Sequence, residues 1–290
     1  MNIRDYQYLV LVDKLKHFGK AAEAAFVSQP ALSMQIKKIE DELGVTIFER
    51  SNKQVFTTNI GSEIINHAKQ ILNSHELVKN TAKESLDPLA GELKIGAFPT
   101  LAPYIFPKIV PAISKELSKL DLFLVEEKTE VLLSKLNEGE LDIALLALPI
   151  EQDNLSSISL FIDPFYLAVP KNHQYAKQQK VTQDILHNQT LLLLDEGHCL
   201  RDQALSLCNT IGAKENNNFR ASSLETLRQM VIAGAGITLM PEIALDDNPH
   251  IIYKKFVRPA PVRKIGLVFR KSFKRKVLLN KLVELIYNQI

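Results

Sequence analysis

The sequence predicts an α/β protein with an N-terminal winged helix-turn-helix, a long linker helix and a two-lobed α/β domain. Three short amphipathic helices followed by a small basic hairpin predict the first part. A one-sided apolar stripe over more than twenty residues predicts the linker helix. From Glu92 onward, strand-like and helix-like segments alternate in the rhythm of a parallel α/β sheet.

These patterns divide the chain into three regions. We expect the winged helix-turn-helix in residues 1–58, the linker and dimerisation helix in residues 59–88, and a regulatory domain in residues 89–290. In that domain, lobe I covers about 92–162 and 266–290, and lobe II covers about 163–265. A chain of 290 residues that is 46% hydrophobic needs neither a disulfide nor a metal for its cores. Its two cysteines are therefore free for chemistry.

Local signals place the first three helices. The first helix pauses at His17-Phe18-Gly19, where glycine favours a turn, and the alanine-rich segment Lys20–Ala25 has high helix propensity. Ser28 followed by Pro30 marks the start of the third helix, because serine caps free amides and proline fits the first turn. Gly44 ends this helix.

The exposed face of the third helix favours contact with DNA. Ser33, Gln35, Lys37 and Lys38 are donors suited to base edges and phosphates, and Thr46–Thr58 reads as a wing with a basic tip from Arg50 to Lys53. The alternative is a small helical domain with a solvated charged face, since Met1–Ile60 contains eight basic and seven acidic residues.

The linker helix begins after the cap Thr58-Asn59 and extends to about Lys83. Its single stripe predicts dimerisation against the same helix of a second subunit, and the alternative is packing on its own domain. Asp87-Pro88 and Gly91 end the helix and supply a hinge. The stripe consists of Ile60, Ile64, Ala68, Ile71, Leu72 and His75.

The rest of the chain alternates between strands and helices. Strands are predicted at 93–97, 122–125, 143–147, 165–169, 191–194, near 219, at 237–240 and at 265–269. Helices are predicted up to Leu117, at 131–136, 200–211, 224–233 and 277–287.

Several enzyme classes lack their signatures. The sequence contains no Walker motif, no His-Glu-x-x-His and no Gly-x-Ser-x-Gly, so we expect no enzyme of these types. Gly234-Ala235-Gly236 follows a helix rather than a strand and lacks the third glycine of a dinucleotide loop. The spacing from Cys199 to Cys208 does not fit a zinc site, so no metal and no cofactor are expected.

The cysteine segment is the chemical centre of the prediction. Cys199 falls at or near a helix N-terminus, where the dipole, His198 and Arg201 favour a thiolate. Cys208 lies in the same helix, and residues nine apart along a helix are separated by roughly 13 Å, beyond the about 7 Å that a disulfide allows. A disulfide would therefore require local refolding; the alternative is that both cysteines are small buried hydrophobes.

The segments Ala21–Ser33 and Ile36–Phe48, followed by Glu49-Arg50, resemble the DNA-binding signature of LysR-type transcriptional regulators. This resemblance implies a third helix in the major groove and a regulatory domain like a periplasmic binding protein. It places Ser28, Gln29, Pro30 and Ser33 near the leading end of the helix and Arg50 on the DNA backbone.

Three further segments, Leu194–Ala204, Phe219–Arg228 and Gly234–Pro241, look like those of the peroxide-sensing members of that family. The resemblance implies that Cys199 is the peroxidatic residue and Cys208 the resolving one. The peroxide pocket implied in the same way consists of Thr100, Thr129, His198, Asp202 and Arg263.

The resemblance therefore implies an activator of antioxidant genes. We expect it in the cytoplasm, since no signal peptide or membrane span is evident. The expected partners are promoter DNA, RNA polymerase, hydrogen peroxide as the signal, and a second subunit in a homodimer, extended to a homotetramer by the resemblance. A glutaredoxin/glutathione or thioredoxin system would reset the disulfide, and no membrane partner is expected. The alternatives are a LysR-type regulator of a small organic effector, with incidental cysteines, and a thiol peroxidase.

Overall fold

The computed structural model describes residues 1–50, 55–84, 87–187, 189–197, 201 and 214–290. The chain forms two compact units, Met1–Leu86 with Glu138–Glu140, and Asp87–Asn137 with Leu141–Ile290. No helix in these described ranges is long and apolar enough to span a bilayer.

The first unit is a winged helix-turn-helix followed by a long helix. Its elements are α1 (Ile3–Leu15), α2 (Phe18–Ala24), α3 (Gln29–Leu43), β1 (Phe48–Arg50), β2 (Val55–Thr57) and α4 (Asn59–Glu84). Strands β1 and β2 pair antiparallel, so the predicted wing is present, and its tip at 51–54 lies outside the described residues. The core joins Leu9 and Val12 of α1 to Leu32 and Ile36 of α3.

Capping explains where the short helices begin and end. Ser28 Oγ accepts a hydrogen bond from the Ala31 amide at 3.3 Å, and Gly44 ends α3 with a left-handed φ of 68°. The turn predicted at Gly19 is wrong, because Gly19 lies inside α2. The break between α1 and α2 lies two to three residues earlier, where Lys16 has a φ of 47° and His17 Nδ1 caps α2 by accepting from the Lys20 amide at 3.2 Å.

The second unit contains a large mixed sheet and a separate two-stranded sheet. Its strands are β3 (Gly91–Ala97), β4 (Leu120–Glu126), β5 (Ile143–Leu148), β6 (Leu155–Pro170), β7 (Lys180–Val181), β8 (Thr190–Leu194), β9 (Lys214–Ala221), β10 (Thr238–Pro241), β11 (Ile251–Phe256) and β12 (Val262–Arg270). The helices are α5 (Ala102–Glu116), α6 (Thr129–Glu138), α7 (Leu224–Ile232) and α8 (Lys276–Tyr287), with short 3-10 helices at Gln174–Lys177, Gln183–Leu186 and Glu242–Ala244. The helix expected at 200–211 lies outside the described residues.

The order of the strands corrects the expectation of a parallel sheet. The main sheet runs β4-β3-β5-β12-β6-β11-β7, with β10 also paired to β6, and β8 pairs with β9. Strands β3, β4 and β5 are mutually parallel, but β12 is antiparallel to both β5 and β6. Strand β12 comes last among these strands in the sequence, and it lies between β5 and β6, antiparallel to both.

Strand β6 connects two hydrophobic cores. Its first part, Leu155–Pro164, pairs with β12, and its last part, Phe165–Pro170, pairs with β10 and β11. One core is formed around β3, β5, α5 and α8, and the other around β8, β10 and α7. Strand β6 changes partners between Pro164 and Phe165, two residues after the predicted lobe boundary at 162/163; the lobe limits themselves stay a prediction.

Candidate functional site

The outer face of α3 carries most of the residues predicted to contact DNA. At the start of the helix, Ser28, Gln29 and Pro30 are exposed. Further along, Ser33 is half-buried, and Lys37, one turn after it, is exposed. Gln35 is placed differently, because its Nε2 donates to Asp5 Oδ1 of α1 at 2.8 Å. That hydrogen bond holds the Gln35 amide against the fold rather than toward a ligand.

The wing is braced by α3. Glu40 Oε1 accepts hydrogen bonds from the amides of Ile47 at 2.8 Å and Phe48 at 3.0 Å, which fixes the start of β1. Arg50 is the last residue of β1, so its backbone leads directly into the wing tip. The base of the wing is thus attached to the same helix whose outer face is predicted to bind DNA.

The apolar stripe predicted along α4 is divided between two faces. Ala68 is 1% exposed, and Ile64 packs against the core of the first unit. Ile60 and Ile71 are 44% and 38% exposed, whereas Leu72 is half-buried. Part of the stripe therefore packs on its own domain, whereas Ile60 and Ile71 are exposed, and their contact with a second subunit stays a prediction.

A fully buried ion pair lies at the centre of the second unit. Arg263 of β12 lies directly opposite Asp163 of β6, and the two side chains are 0% and 1% exposed. Arg263 Nε donates to Asp163 Oδ2 at 2.8 Å, and Nη2 lies 2.8 Å from the same oxygen. The rings of Phe98 and Phe165 flank the guanidinium. Such a buried charge pair is stable only with full hydrogen bonding, which this pair approaches.

Two predicted pocket residues contact each other directly. Arg263 Nη1 donates to Thr100 Oγ1 at 3.0 Å, and Nη2 donates to the Thr100 carbonyl at 3.2 Å. Thr100 is 1% exposed and follows β3. Because its Oγ1 accepts from the arginine, the hydroxyl proton of Thr100 is available to donate to a ligand.

Thr129 is the most informative of the predicted pocket residues. Its Oγ1 is buried, and no hydrogen-bond partner for it exists among the described residues. Strands β3 and β4 are adjacent and parallel, with Ala97 opposite Glu126, so Thr100 and Thr129 each follow three residues later at the same sheet edge. A buried hydroxyl without a partner is uncommon in proteins, so Thr129 Oγ1 is a candidate contact for a ligand or a water.

The segment that enters the cysteine region is tied to the same edge. Lys128 Nζ donates to the Glu196 carbonyl at 2.7 Å, and Gly197 has a left-handed φ of 82°. A side chain at Gly197 would lie 3.0 Å from Lys128 Cδ, so both backbone angle and space favour glycine there. Arg201 is 7% exposed and donates to the Leu194 carbonyl at 3.3 Å. The predicted site residues His198, Cys199, Asp202 and Cys208 lie outside the described residues.

Another buried arginine, Arg228, stabilises the lobe that contains this segment. Arg228 of α7 is 6% exposed and donates through Nε to Tyr253 Oη at 3.1 Å, while Tyr253 donates to Asp246 at 2.8 Å. Burial and the hydrogen bond to Asp246 raise the pKa of Tyr253 to about 12. The phenol therefore stays neutral throughout the physiological range and links α7 to β11.

Two family models match the chain. Residues 3–62 match the bacterial regulatory helix-turn-helix proteins of the lysR family, and residues 87–289 match the LysR substrate binding domain. The chain belongs to the LysR family. Its members regulate transcription, and the winged helix-turn-helix that binds promoter DNA is the one described above.

Comparison with individual proteins of this family narrows the match. The chain is 40% identical over 289 residues to the DNA-binding transcriptional dual regulator OxyR of Escherichia coli K12, which covers 99% of this chain and 95% of that protein. Full-length OxyR of Pseudomonas aeruginosa matches with a TM-score of 0.80 and 35% identity, covering 100% of this chain and 99% of that one. An H2O2-bound OxyR mutant of Corynebacterium glutamicum matches with a TM-score of 0.68 and 33% identity, covering 99% and 92%. The predicted fold and the resemblance to the peroxide-sensing members of the family are confirmed.

Sequence reasoning missed two residues that the structure brings to the site. Asp163 had one signal, a carboxylate within the apolar run Leu160–Val169, where burial demands a cationic partner. Lys128 had no signal, because a lysine before a helix is ordinarily a solvated surface residue.

Proposed function

We propose that the chain is a transcriptional activator switched on by hydrogen peroxide, with Cys199 as the sensing thiol and Cys208 as the resolving thiol. The observation that carries the proposal is the buried hydroxyl of Thr129, for which the described part of the chain offers no hydrogen-bond partner. It lies at the same sheet edge as Thr100 and Arg263, and its neighbour Lys128 holds Glu196, three residues before Cys199.

The residues at this edge suit a small oxygen-rich ligand. The hydroxyls of Thr100 and Thr129 can donate to and accept from the two peroxide oxygens. Arg263 stabilises negative charge through the Thr100 hydroxyl that it polarises, since its own guanidinium is committed to Asp163. The proposed role of Arg263 is thus to position and polarise Thr100, while His198 and Asp202 complete the pocket.

The proposed reaction consumes one peroxide per switching event. The Cys199 thiolate attacks one oxygen, the O–O bond breaks, hydroxide leaves, and the sulfur becomes a sulfenic acid. The Cys208 thiol then attacks that sulfur and displaces water, which gives the disulfide. The peroxide is reduced and the two thiols are oxidised to a disulfide. A system of the glutaredoxin/glutathione or thioredoxin type must then supply two electrons to reduce that disulfide. We propose a stoichiometric switch rather than a peroxidase that turns over.

The proposed output is a changed arrangement of DNA-binding units. We propose homodimers through the exposed face of α4, assembled into a homotetramer, with α3 in the major groove and the Arg50 wing on the backbone. Disulfide formation would alter how subunits present these helices to promoter DNA and to RNA polymerase. The site of action is the cytoplasm, where the promoter DNA is located.

The first test maps the thiols after oxidation. Reduced protein is treated with one equivalent of hydrogen peroxide and digested, and we expect a Cys199–Cys208 linked peptide by mass spectrometry. Cys208→Ser should stop at a sulfenic acid on Cys199 that dimedone traps, and Cys199→Ser should give neither product. Thr129→Val should form the same disulfide up to about tenfold more slowly, through loss of one hydrogen bond. A wild-type chain whose two thiols survive stoichiometric peroxide would contradict the proposal.

A further inference from the structure

Met34 is an exposed apolar residue at the centre of the predicted DNA-binding face. It is 70% exposed and is the sixth residue of α3. Leu32 and Ile36 are buried, and Met34 lies two positions from each of them, on the opposite side of the helix. Its polar neighbours on that side are Ser33 and Lys37, one residue before and three after.

The position along α3 agrees with insertion of its N-terminal half into DNA. Recognition helices of the helix-turn-helix class contact base edges with their N-terminal residues. One turn beyond Lys37, Glu40 is committed to the wing amides, and the carboxylate of Asp41 is exposed on the same face as Met34. Acidic groups there repel phosphates, which limits close contact to residues before them. Met34 is the large apolar side chain within that limit.

The major groove offers one apolar group to such a side chain. Each base pair presents hydrogen-bond donors and acceptors there, and only thymine adds a methyl group at C5. A methionine side chain is flexible and polarisable, so it adapts to a methyl group at the floor of the groove. We propose that Met34 contacts a thymine methyl group and so determines sequence specificity at one base pair of each half-site. This inference uses the family's DNA-binding fold and is independent of the redox proposal.

The test removes the methyl group from the DNA. A duplex selected by the purified wild-type protein from random-sequence DNA is synthesised with uracil in place of each thymine in turn. We expect one position per half-site at which uracil weakens wild-type binding about fourfold, the effect of one buried methyl group. Met34→Ala should bind the thymine duplex more weakly by at least that factor and show no difference between thymine and uracil at that position.

Leu43→Ala is the matched control, because Leu43 is also an exposed apolar residue of α3, 41% exposed, but lies at its C-terminal end. This variant should keep the wild-type uracil effect. Two results would overturn the proposal: uracil tolerated by the wild type at every position, or an unchanged uracil effect in Met34→Ala. Circular dichroism of both variants checks that the fold is retained. We expect it to be retained, because both replaced side chains are exposed.

Discussion

Arg263 shows how one side chain can serve both stability and a binding site. Its guanidinium uses Nε and Nη2 on Asp163 and directs Nη1 at the Thr100 hydroxyl, with both charged side chains buried. The sequence pointed to Arg263 through resemblance, but not to its carboxylate partner 100 positions away. That pairing depends on the register of β12 against β6, which no local pattern encodes.

Replacing Arg263 by methionine should be severely destabilising. Arg263→Met leaves Asp163 as a buried carboxylate without a cation, and we expect a loss of about 3–5 kcal/mol in the free energy of unfolding by urea. The double variant Arg263→Met/Asp163→Leu removes both charges and should recover a large part of that loss. A double variant no more stable than Arg263→Met would show that the pair is not energetically coupled.

Elements with local signals were predicted well, and elements defined by long-range pairing were not. The bounds of α3 followed from Ser28, Pro30 and Gly44, because capping depends on residues adjacent in sequence. Strand β6 was predicted only at Phe165–Val169, although it runs from Leu155 to Pro170. Its first part contains Ser156, Ser157 and Ser159 and its middle contains Asp163-Pro164, both of which are typical of loops until β12 is known to lie alongside. Similarly, Thr129 could be named from sequence, but not the burial of its hydroxyl without a partner among the described residues.

The tie between Lys128 and the Glu196 carbonyl gives a prediction for one connecting segment. Lys128→Met keeps the aliphatic stem beside Gly197 and removes the donor, so we expect faster amide hydrogen exchange at Asp195–Gly197 by about five- to tenfold, equivalent to one exposed hydrogen bond. Lys108→Met, an exposed lysine of α5, is the control and should leave these amides unchanged. Equal exchange in the Lys128 variant and the wild type would show that the contact does not restrain the segment.

At the scale of the whole molecule, the DNA-binding helix and the candidate peroxide pocket lie in different units. The first unit presents α3 and the wing, and the second contains the sheet edge with Thr100 and Thr129. Sequence periodicity predicted both units. On α4, however, it placed the residues that pack on the first unit and the residues that are exposed in one stripe. The hydrophobic period alone does not distinguish a residue that packs on α1 from one left for a second subunit.

A charge on the exposed face of α4 should therefore separate subunits without unfolding them. Ile71→Asp places a carboxylate on the stripe of both copies in a two-fold dimer, and we expect about 100-fold weaker dimerisation by sedimentation equilibrium. Binding to a two-half-site operator should weaken with it. Gln70→Asp adds the same charge at an exposed position off the stripe and serves as the control. A dimer equally stable in both variants would place the interface elsewhere.

The irregular pairing of β8 with β9 has a mechanical consequence for the cysteine segment between them. Leu191 lies opposite Glu215, yet Leu193 lies opposite Arg220, so two steps along β8 correspond to five along β9. Strand β9 thus contains three surplus residues directly after the segment, while Ala221 stays anchored to Leu194. At about 3.3 Å per residue, straightening them would release roughly 10 Å of chain. Such straightening would leave the pairing of Ala221 with Leu194, which precedes α7, unchanged.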